Sequence, residues 1–305
     1  MLTKLQTILK KALRGHYAVG AFNINNMEIC QAVIRAAVEK KSPVIIQTSE
    51  GAISYAGLDY LKCIAETAAK QKVPVALHLD HGRDVSTVKK CLKAGWTGIM
   101  WDGSHLPWKD NVKTTKKAVK LSEKYGVGVE GELGTIGGAE DKVSAREIIY
   151  TDPDSAKEFV EKTGISALAV AIGTSHGAYK FSGKAKLDIH RLKEIRKRVK
   201  IPLVLHGASG VPHWLITQAA RYGAQLGKPE GVPDEQIRLA VKEGINKINT
   251  DTDLRLAFDA AVRKTLKEKP EDFDPRHILG PARDLMQKVA EHRMDVFGCA
   301  GKAKR

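Results

Sequence analysis

The segment 74–104, PVALHLDHGRDVSTVKKCLKAGWTGIMWDGS, decides the fold. It opens on a β-rich run, PVALHLD (74–80), passes through a helix-like stretch containing Cys91, and ends on a second run, GIMWDGS (98–104). Run, turn, helix and run make the βα unit of a parallel sheet. The same pattern recurs on both sides. The other runs are AVGAFNIN (18–25), PVIIQTS (43–49), VGVEGEL (127–133), ALAVAIG (167–173), PLVLHGA (202–208) and KINTDTD (247–253), which brings the total to eight. Amphipathic stretches such as 26–41, 59–72 and 153–163 lie between them. Strands buried on both faces read as continuous apolar runs. Eight units predict a closed α/β architecture, the (β/α)8 TIM barrel. An open doubly wound sheet is the alternative. It would need a GxGxxG turn after the first run and chemistry gathered at one pair of strands, and the sequence has neither. We expect residues 1–305 to form a single barrel domain, with 255–305 including extra C-terminal helices used in oligomer contacts. One helix should begin after Asp251 and another should span about 281–297.

The chain has 305 residues, 43% hydrophobic and 28% charged, which excludes a disordered polymer. No stretch approaches the roughly 18 uninterrupted apolar residues of a membrane span. The opening MLTKLQTILKKALRG sets leucines at helical spacing between lysines and lacks the apolar core of a signal peptide. Cys30, Cys63, Cys91 and Cys299 form no CxxC pair, so they read as reduced, mostly packed thiols of a cytoplasmic protein. Lys and Arg number 50 against 35 Asp and Glu, a formal charge of +15. The basic residues are spread along the chain, densest at RLKEIRKRVK (191–200), and no nucleic-acid-binding pattern accompanies them. We therefore expect no nucleic acid or membrane partner, and a solvated basic surface that steers anionic small molecules.

Barrel enzymes place their chemistry at the carboxyl ends of the strands. The third run ends in His78-Leu79-Asp80-His81, the sixth leads into Gly173-Thr174-Ser175-His176-Gly177, and the seventh ends in Leu205-His206-Gly207-Ala208-Ser209-Gly210. A single histidine there is most simply a hydrogen-bonded strand end. Three converging on one mouth, with a fourth position open, make a catalytic zinc set. Alternation puts His78 and Asp80 on one face of the third strand. Asp80 should face the mouth and serve as a general acid or base, the alternatives being a helix cap or an internal salt bridge. His78 reads as a support to the ligands rather than a ligand. Glu130 and Glu132 share a face of the fifth strand, so one or both must reach a cation, a histidine or a lysine. The glycine-rich stretch 135–141 that follows reads as a loop able to close over substrate, with Glu140 carrying a proton acceptor at its tip, unless Glu140 is merely exposed. Gly207 to Gly210 offer peptide N–H groups and a hydroxyl, and Asn249-Thr250-Asp251-Thr252 lead into a helix N-terminus. Together they suit a phosphate, whereas plain capping would account only for Asp251 or Thr252.

PVALHLDHG, VEGELGTIGG, AIGTSHGAYK, LVLHGASGVP and KINTDTDLRLAF, taken together, resemble class II, zinc-dependent fructose-bisphosphate aldolases, most closely the shorter bacterial subgroup known as class IIB. The resemblance runs from GAFNINNME to DPRHILGPAR. Tagatose-bisphosphate aldolases share much of it. It implies His81, His176 and His206 as zinc ligands, and Glu132 as a glutamate beside the metal linked to an alternative buried position. Asp80 would handle the substrate C4 hydroxyl proton. Glu140, with Asp141 adjacent, would be the mobile-loop acid. Gly177, Lys180, Gly207, Ser209, Asn249, Asp251 and Thr252 would hold the dihydroxyacetone-phosphate end, some of their carbonyls binding a monovalent cation, Na+ or K+, in relatives. Arg255 and Arg276 would hold the distant phosphate, Arg276 from a neighbouring subunit. Asn23 and Ser49 would contact substrate.

The implied reaction is reversible cleavage of fructose 1,6-bisphosphate, a glycolytic step, by a homo-oligomer that is either a dimer or a tetramer. Zinc would act as a Lewis acid on the ketose and stabilise the enediolate. A Schiff-base mechanism would need a lysine at the barrel centre. The sixth run has none, and Lys247 starts the eighth run, at the end away from the mouth. A metal-free phosphate-binding isomerase would leave the three histidines unexplained.

Overall fold

The computed structural model describes residues 1–140, 143–145, 148–176, 186–226 and 229–303. The strands are β1 (Val19–Asn23), β2 (Val44–Thr48), β3 (Val75–Gly82), β4 (Gly98–Trp101), β5 (Val129–Leu133), β6 (Gly137–Glu140), β7 (Val143–Ala145), β8 (Ala167–Val170), β9 (Ser175–His176), β10 (Leu203–Leu205) and β11 (Ile245–Thr250). The helices are α1 (Leu5–Gly15), α2 (Met27–Glu39), α3 (Glu50–Ala56), α4 (Leu58–Ala68), α5 (Val85–Ala94), α6 (Trp108–Glu123), α7 (Pro153–Thr163), α8 (Ile189–Arg198), α9 (His213–Arg221), α10 (Asp234–Lys242), α11 (Thr252–Glu268) and α12 (Pro275–Val296).

β1, β2, β3, β4, β5, β8, β10 and β11 close into a parallel barrel, each of the eight predicted runs supplying one strand. Closure is made by β1 against β11, with Val19 opposite Lys247 and Phe22 opposite Thr250. Side-chain signals set the helix ends. Asp84 accepts from the N–H groups of Ser86 and Thr87 at the start of α5, and Gly95 ends that helix at φ 101°. Asp152 caps α7 ahead of Pro153, and Gly164 closes it at φ 73°. α1 covers the amino ends of the strands. The Thr3 N–H donates to the Val75 carbonyl and the Leu5 N–H to that of Thr97, and Leu5, Ile8, Leu9 and Ala12 are buried. A Cβ at Gly98 would come within 2.6 Å of Leu5, so β4 has room for α1 only because it starts with glycine.

Two elements differ from expectation. α12 begins at Pro275, capped by Asp274, and Pro281 lies inside it rather than at its start. Proline marks a helix start only as a preference, and the Asp-Pro pair six residues earlier is the stronger one. The stretch after β5 is a hairpin rather than an open loop. β6 pairs antiparallel with β7 and parallel with β9, Gly138 standing opposite His176. Glycines hide this strand from propensity, and one of its two partners, β9, lies far along the chain.

Candidate active site

Asp80 and His81 are neighbours in the chain, and both turn inward. Strand alternation would send them to opposite faces. The register of β3 against β4 shifts between Leu79 and Gly82, and His81 adopts φ 47°. This left-handed residue in the irregularity re-aims the imidazole. Gly82 makes it possible, since a Cβ there would lie 2.8 Å from the Met100 carbonyl oxygen.

The Asp80 carboxylate is 4% exposed. Asn23 of β1 donates to its Oδ2 at 2.9 Å and Asn249 of β11 to its Oδ1 at 3.0 Å. Gln47 of β2 fixes Asn23 in turn, at 2.7 Å. Burial alone would raise its pKa. The opposing charges, that of His81 first, hold it below the usual value. Asp80 is therefore an oriented carboxylate, and neither a helix cap nor one half of an isolated ion pair.

His81 Nε2 stands 2.9 Å from His206 Nδ1. Each ring is fixed from its far side by a carboxylate. Asp102, at the end of β4, lies 3.0 Å from His81 Nδ1, and Glu130 of β5 lies 2.7 Å from His206 Nε2. Asp102 is itself gripped by Arg83, whose Nε and Nη2 donate at 2.9 and 2.7 Å, and by Ser104. Such carboxylate–imidazole pairs select the tautomer that aims a lone pair at a metal. Burial opposes a charge on His81, but Asp80, Asp102 and Glu132 outweigh it and push the imidazole up to about 10. Burial pulls His206 down to about 4. Burial, then the Asp102 charge, pushes Glu132 up to about 8, and its buried Oε2 has no hydrogen-bond partner among the described residues. Oxygen or nitrogen atoms of Asp80, His81 and His206 lie within 4.8 Å of one another, as do those of His81, Asp102 and Glu132. Two facing imidazole nitrogens, carboxylates behind them and an orphaned carboxylate oxygen beside them fit a divalent ion.

Of His176 the backbone is described, in β9, and the side chain is not. The neighbouring Ser175 lies against the His206 loop, for a Cβ at Gly207 would come within 2.6 Å of the Ser175 carbonyl oxygen. Gly177, Lys180 and Asp141 lie outside the described residues, as does the side chain of Glu140, while the Glu140 backbone ends β6.

Beneath the two imidazoles the barrel is polar. Lys247, fully buried in β11, reaches Glu130 Oε2 at 3.0 Å and donates to Asn249 Oδ1 at 2.8 Å. Its backbone position is low in the strand, as expected, but its side chain climbs to the groups that hold His206 and Asp80. His78 Nε2 stands 3.3 Å from Glu130 Oε2, the carboxylate that also meets His206. Asp102 and Lys247 are the participants that the sequence reading passed over. Asp102 ends a barrel strand, the same signal that singled out His81.

The ends of β10 and β11 carry Ser209, Asn249, Asp251 and Thr252, all buried. Ser209 Oγ accepts from the Asp251 N–H at 3.4 Å. Asp251 does not cap α11 with its side chain but pairs with Arg255 at 2.6 Å. One expected donor is already engaged, because the Gly210 N–H bonds the buried Asp253 carboxylate at 3.0 Å. Beside Arg255 a cleft of about 480 Å³ is lined by Asn25, Ser49, Tyr55 and Phe258. Ser49 also caps α3, accepting from Ala52. Arg276 is 85% exposed and clamped to Asp274 at 2.6 Å. The four cysteines are free, Cys63 exposed and the other three buried. Among the described residues no helix is long and apolar enough to cross a membrane.

A family model described as fructose-bisphosphate aldolase class-II matches residues 3–225 and 229–302. The chain is 48% identical to the fructose-bisphosphate aldolase of Thermus caldophilus over 305 residues, covering 99% of this chain and 100% of the relative. It is 45% identical to that of Giardia intestinalis, covering 99% and 94%. Among solved structures, the YdjI aldolase of Escherichia coli K12 superposes with a TM-score of 0.80 at 32% identity, covering 100% of both chains.

Proposed function

The chain belongs to the class II fructose-bisphosphate aldolase family, and from that premise we propose how its residues perform the cleavage. The enzyme is a lyase that reversibly splits fructose 1,6-bisphosphate into dihydroxyacetone phosphate and glyceraldehyde 3-phosphate. Its metal would be zinc, held by His81, His176 and His206 with Glu132 beside them; imidazole donors backed by carboxylates are the chemistry that ion selects. When bound, the ion supplies Lewis acidity at the ketose oxygens.

Asp80 accepts the C4 hydroxyl proton. Its two amide donors leave the carboxylate aimed and ionised. The O4–H bond breaks, the C4 carbonyl forms, and the C3–C4 electron pair stays on C3. Glu140, brought in on the β6–β7 hairpin, returns a proton to C3. Ser209, Asn249, Asp251 and Thr252, with Gly177, Lys180 and Gly207, bind the dihydroxyacetone-phosphate end, where a monovalent cation, Na+ or K+, would also sit. Asn23 and Ser49 contact the substrate. Arg255, at the rim of the cleft, takes the far phosphate, which fixes the substrate's orientation. The chain would act as a homo-oligomer in the cytoplasm. Arg276, 85% exposed and paired with Asp274, would have to exchange that partner for a phosphate in a neighbour's site, and the nearby Phe273 is 92% exposed.

The observation that carries this reading is the pair of facing imidazole nitrogens 2.9 Å apart beside Asp80. The test compares cleavage of fructose and tagatose 1,6-bisphosphate with and without chelator, and adds borohydride. We expect preference for fructose, loss of activity on chelation, recovery with zinc and no covalent trapping. Chelator-insensitive cleavage with borohydride trapping at Lys247 would overturn it.

A further inference from the structure

Arg293 lies on α12, outside the barrel, yet its side chain is 1% exposed. Such a guanidinium is retained inside a protein only where its donors are met. Its Nη1 donates to Asp234 Oδ1 at 2.7 Å and its Nη2 to the Ala208 carbonyl at 3.1 Å, while its Nε makes no hydrogen bond among the described residues and pairs with Asp253 Oδ2 by charge alone at 3.5 Å. Asp253, in the first turn of α11, is fully buried and accepts the N–H groups of Gly210 at 3.0 Å and Val211 at 2.7 Å.

Apart from the anchor to Asp234, these contacts converge on one segment, the 206–211 turn that follows β10, directly at the Ala208 carbonyl and through Asp253 at the Gly210 and Val211 N–H groups. That turn is under backbone strain. Gly207 sits at φ 59° and Val211 at φ 47°, a conformation that a β-branched residue rarely adopts. Strain of this kind persists only where the surroundings over-determine it. Three neighbours do so here. Asp253 holds the two N–H groups, Arg293 holds the Ala208 carbonyl, and Gly231 presses from outside, where a Cβ would lie 2.3 Å from Gly210 backbone atoms. At the other end of the turn, His206 is held independently by Glu130.

We infer that Arg293 is a positioning residue for substrate phosphate: through Asp253 and the Ala208 carbonyl it fixes the strained turn that presents Ser209. The inference rests on the phosphate reading of that turn given above. It predicts a division of effects. Loosening the turn weakens phosphate binding, while the metal ligand, anchored from the barrel floor, keeps its place.

The experiment uses the zinc-loaded enzyme and reads three quantities: KM for fructose 1,6-bisphosphate, inhibition by inorganic phosphate, and zinc content per chain. Arg293→Met should raise KM and the phosphate inhibition constant together by about tenfold, with kcat within about threefold and zinc content unchanged. Arg293→Lys reaches fewer acceptors and should fall between parent and Met. Asp234→Asn, at the outer end of the strut, keeps its shape and tests the idea even if Arg293→Met does not fold; it should raise both constants by a smaller factor. Folded Arg293→Lys and Asp234→Asn enzymes with parental KM and phosphate inhibition would overturn the proposal, as would loss of kcat and zinc at unchanged KM. Ser209→Ala separates the two claims. If it raises the phosphate inhibition constant while the Arg293 variants do not, the phosphate reading stands and the strut falls. If it leaves phosphate inhibition untouched, the reading falls and takes the strut with it.

Discussion

Lys247 and Glu130 form an ion pair 3.0 Å long with no solvent exposure on either side chain. Glu130 also holds His206, and Lys247 also holds Asn249, which donates to Asp80. One buried pair thus underlies both a proposed metal ligand and the proposed base. Removing one partner strands the other charge, which typically costs about 3–5 kcal/mol. Lys247→Met should destabilise the fold by that order in denaturant titration. Lys247→Met combined with Glu130→Gln should recover part of the loss, since no lone charge remains. Recovery of nothing would mean that the two residues do not act as a pair.

Asp80→Asn preserves size but cannot take a proton, and its amide can accept from only one of Asn23 and Asn249. Loss of a positioned acid or base typically costs about 10²–10⁴ in rate. We expect kcat to fall within that range, with KM within a few-fold and a modestly lower thermal midpoint from the one lost buried hydrogen bond. A kcat near parental in steady-state assays would remove Asp80 from the proton transfer.

Asp102→Asn leaves His81 without its charged partner. Partners of this kind are worth about 10–100-fold in metal affinity. Competition against a chromophoric chelator should show zinc affinity reduced by that factor, and excess zinc should restore much of the activity.

Removing the metal should lower the thermal midpoint, because a ligand that binds only the folded state stabilises it by mass action. The midpoint should rise again with added zinc in a concentration-dependent way. Identical midpoints with and without chelator would argue against a metal bound by the folded chain.

Asp84 caps α5 through the N–H groups of Ser86 and Thr87, and these hydrogen bonds hold its carboxyl below the ordinary value. A depressed carboxyl stabilises the fold above its unfolded pKa, and the contribution disappears as pH falls through the folded one. Asp84→Ala should therefore cost about 1 kcal/mol at neutral pH, the usual worth of a cap. Denaturation at decreasing pH should show the difference between parent and variant shrinking below about pH 4. A constant difference across that range would mean that the charge is not what caps the helix.

The barrel was legible because each strand is a short apolar run between helices, and every one of those runs became a strand. Asp80 and the two histidines whose rings are described were legible from their place at strand ends. What escaped the sequence depends on distance or direction. β6 pairs not only with the adjacent β7 but with β9, more than thirty residues away. The inward turn of His81 depends on a left-handed residue in an irregular pairing, whereas alternation alone leaves it at the start of a loop. The reach of Lys247 was hidden because a backbone position low in a strand says nothing about where a long side chain ends. Arg293 stands in a helix outside the barrel, and nothing in its neighbourhood along the chain reveals the turn it braces.

The floor of the barrel has a consequence for how the chain is made. α1 leaves the ribosome before the barrel strands, yet the Thr3 N–H ahead of it and the Leu5 N–H at its start donate to the carbonyls of Val75 and Thr97. α1 must therefore wait, its leucines uncovered, until the residues leading into β4 have emerged. Contacts that span so much sequence form late, so α1 is expected to seat itself as a closing step and to be the segment most in need of shelter during translation.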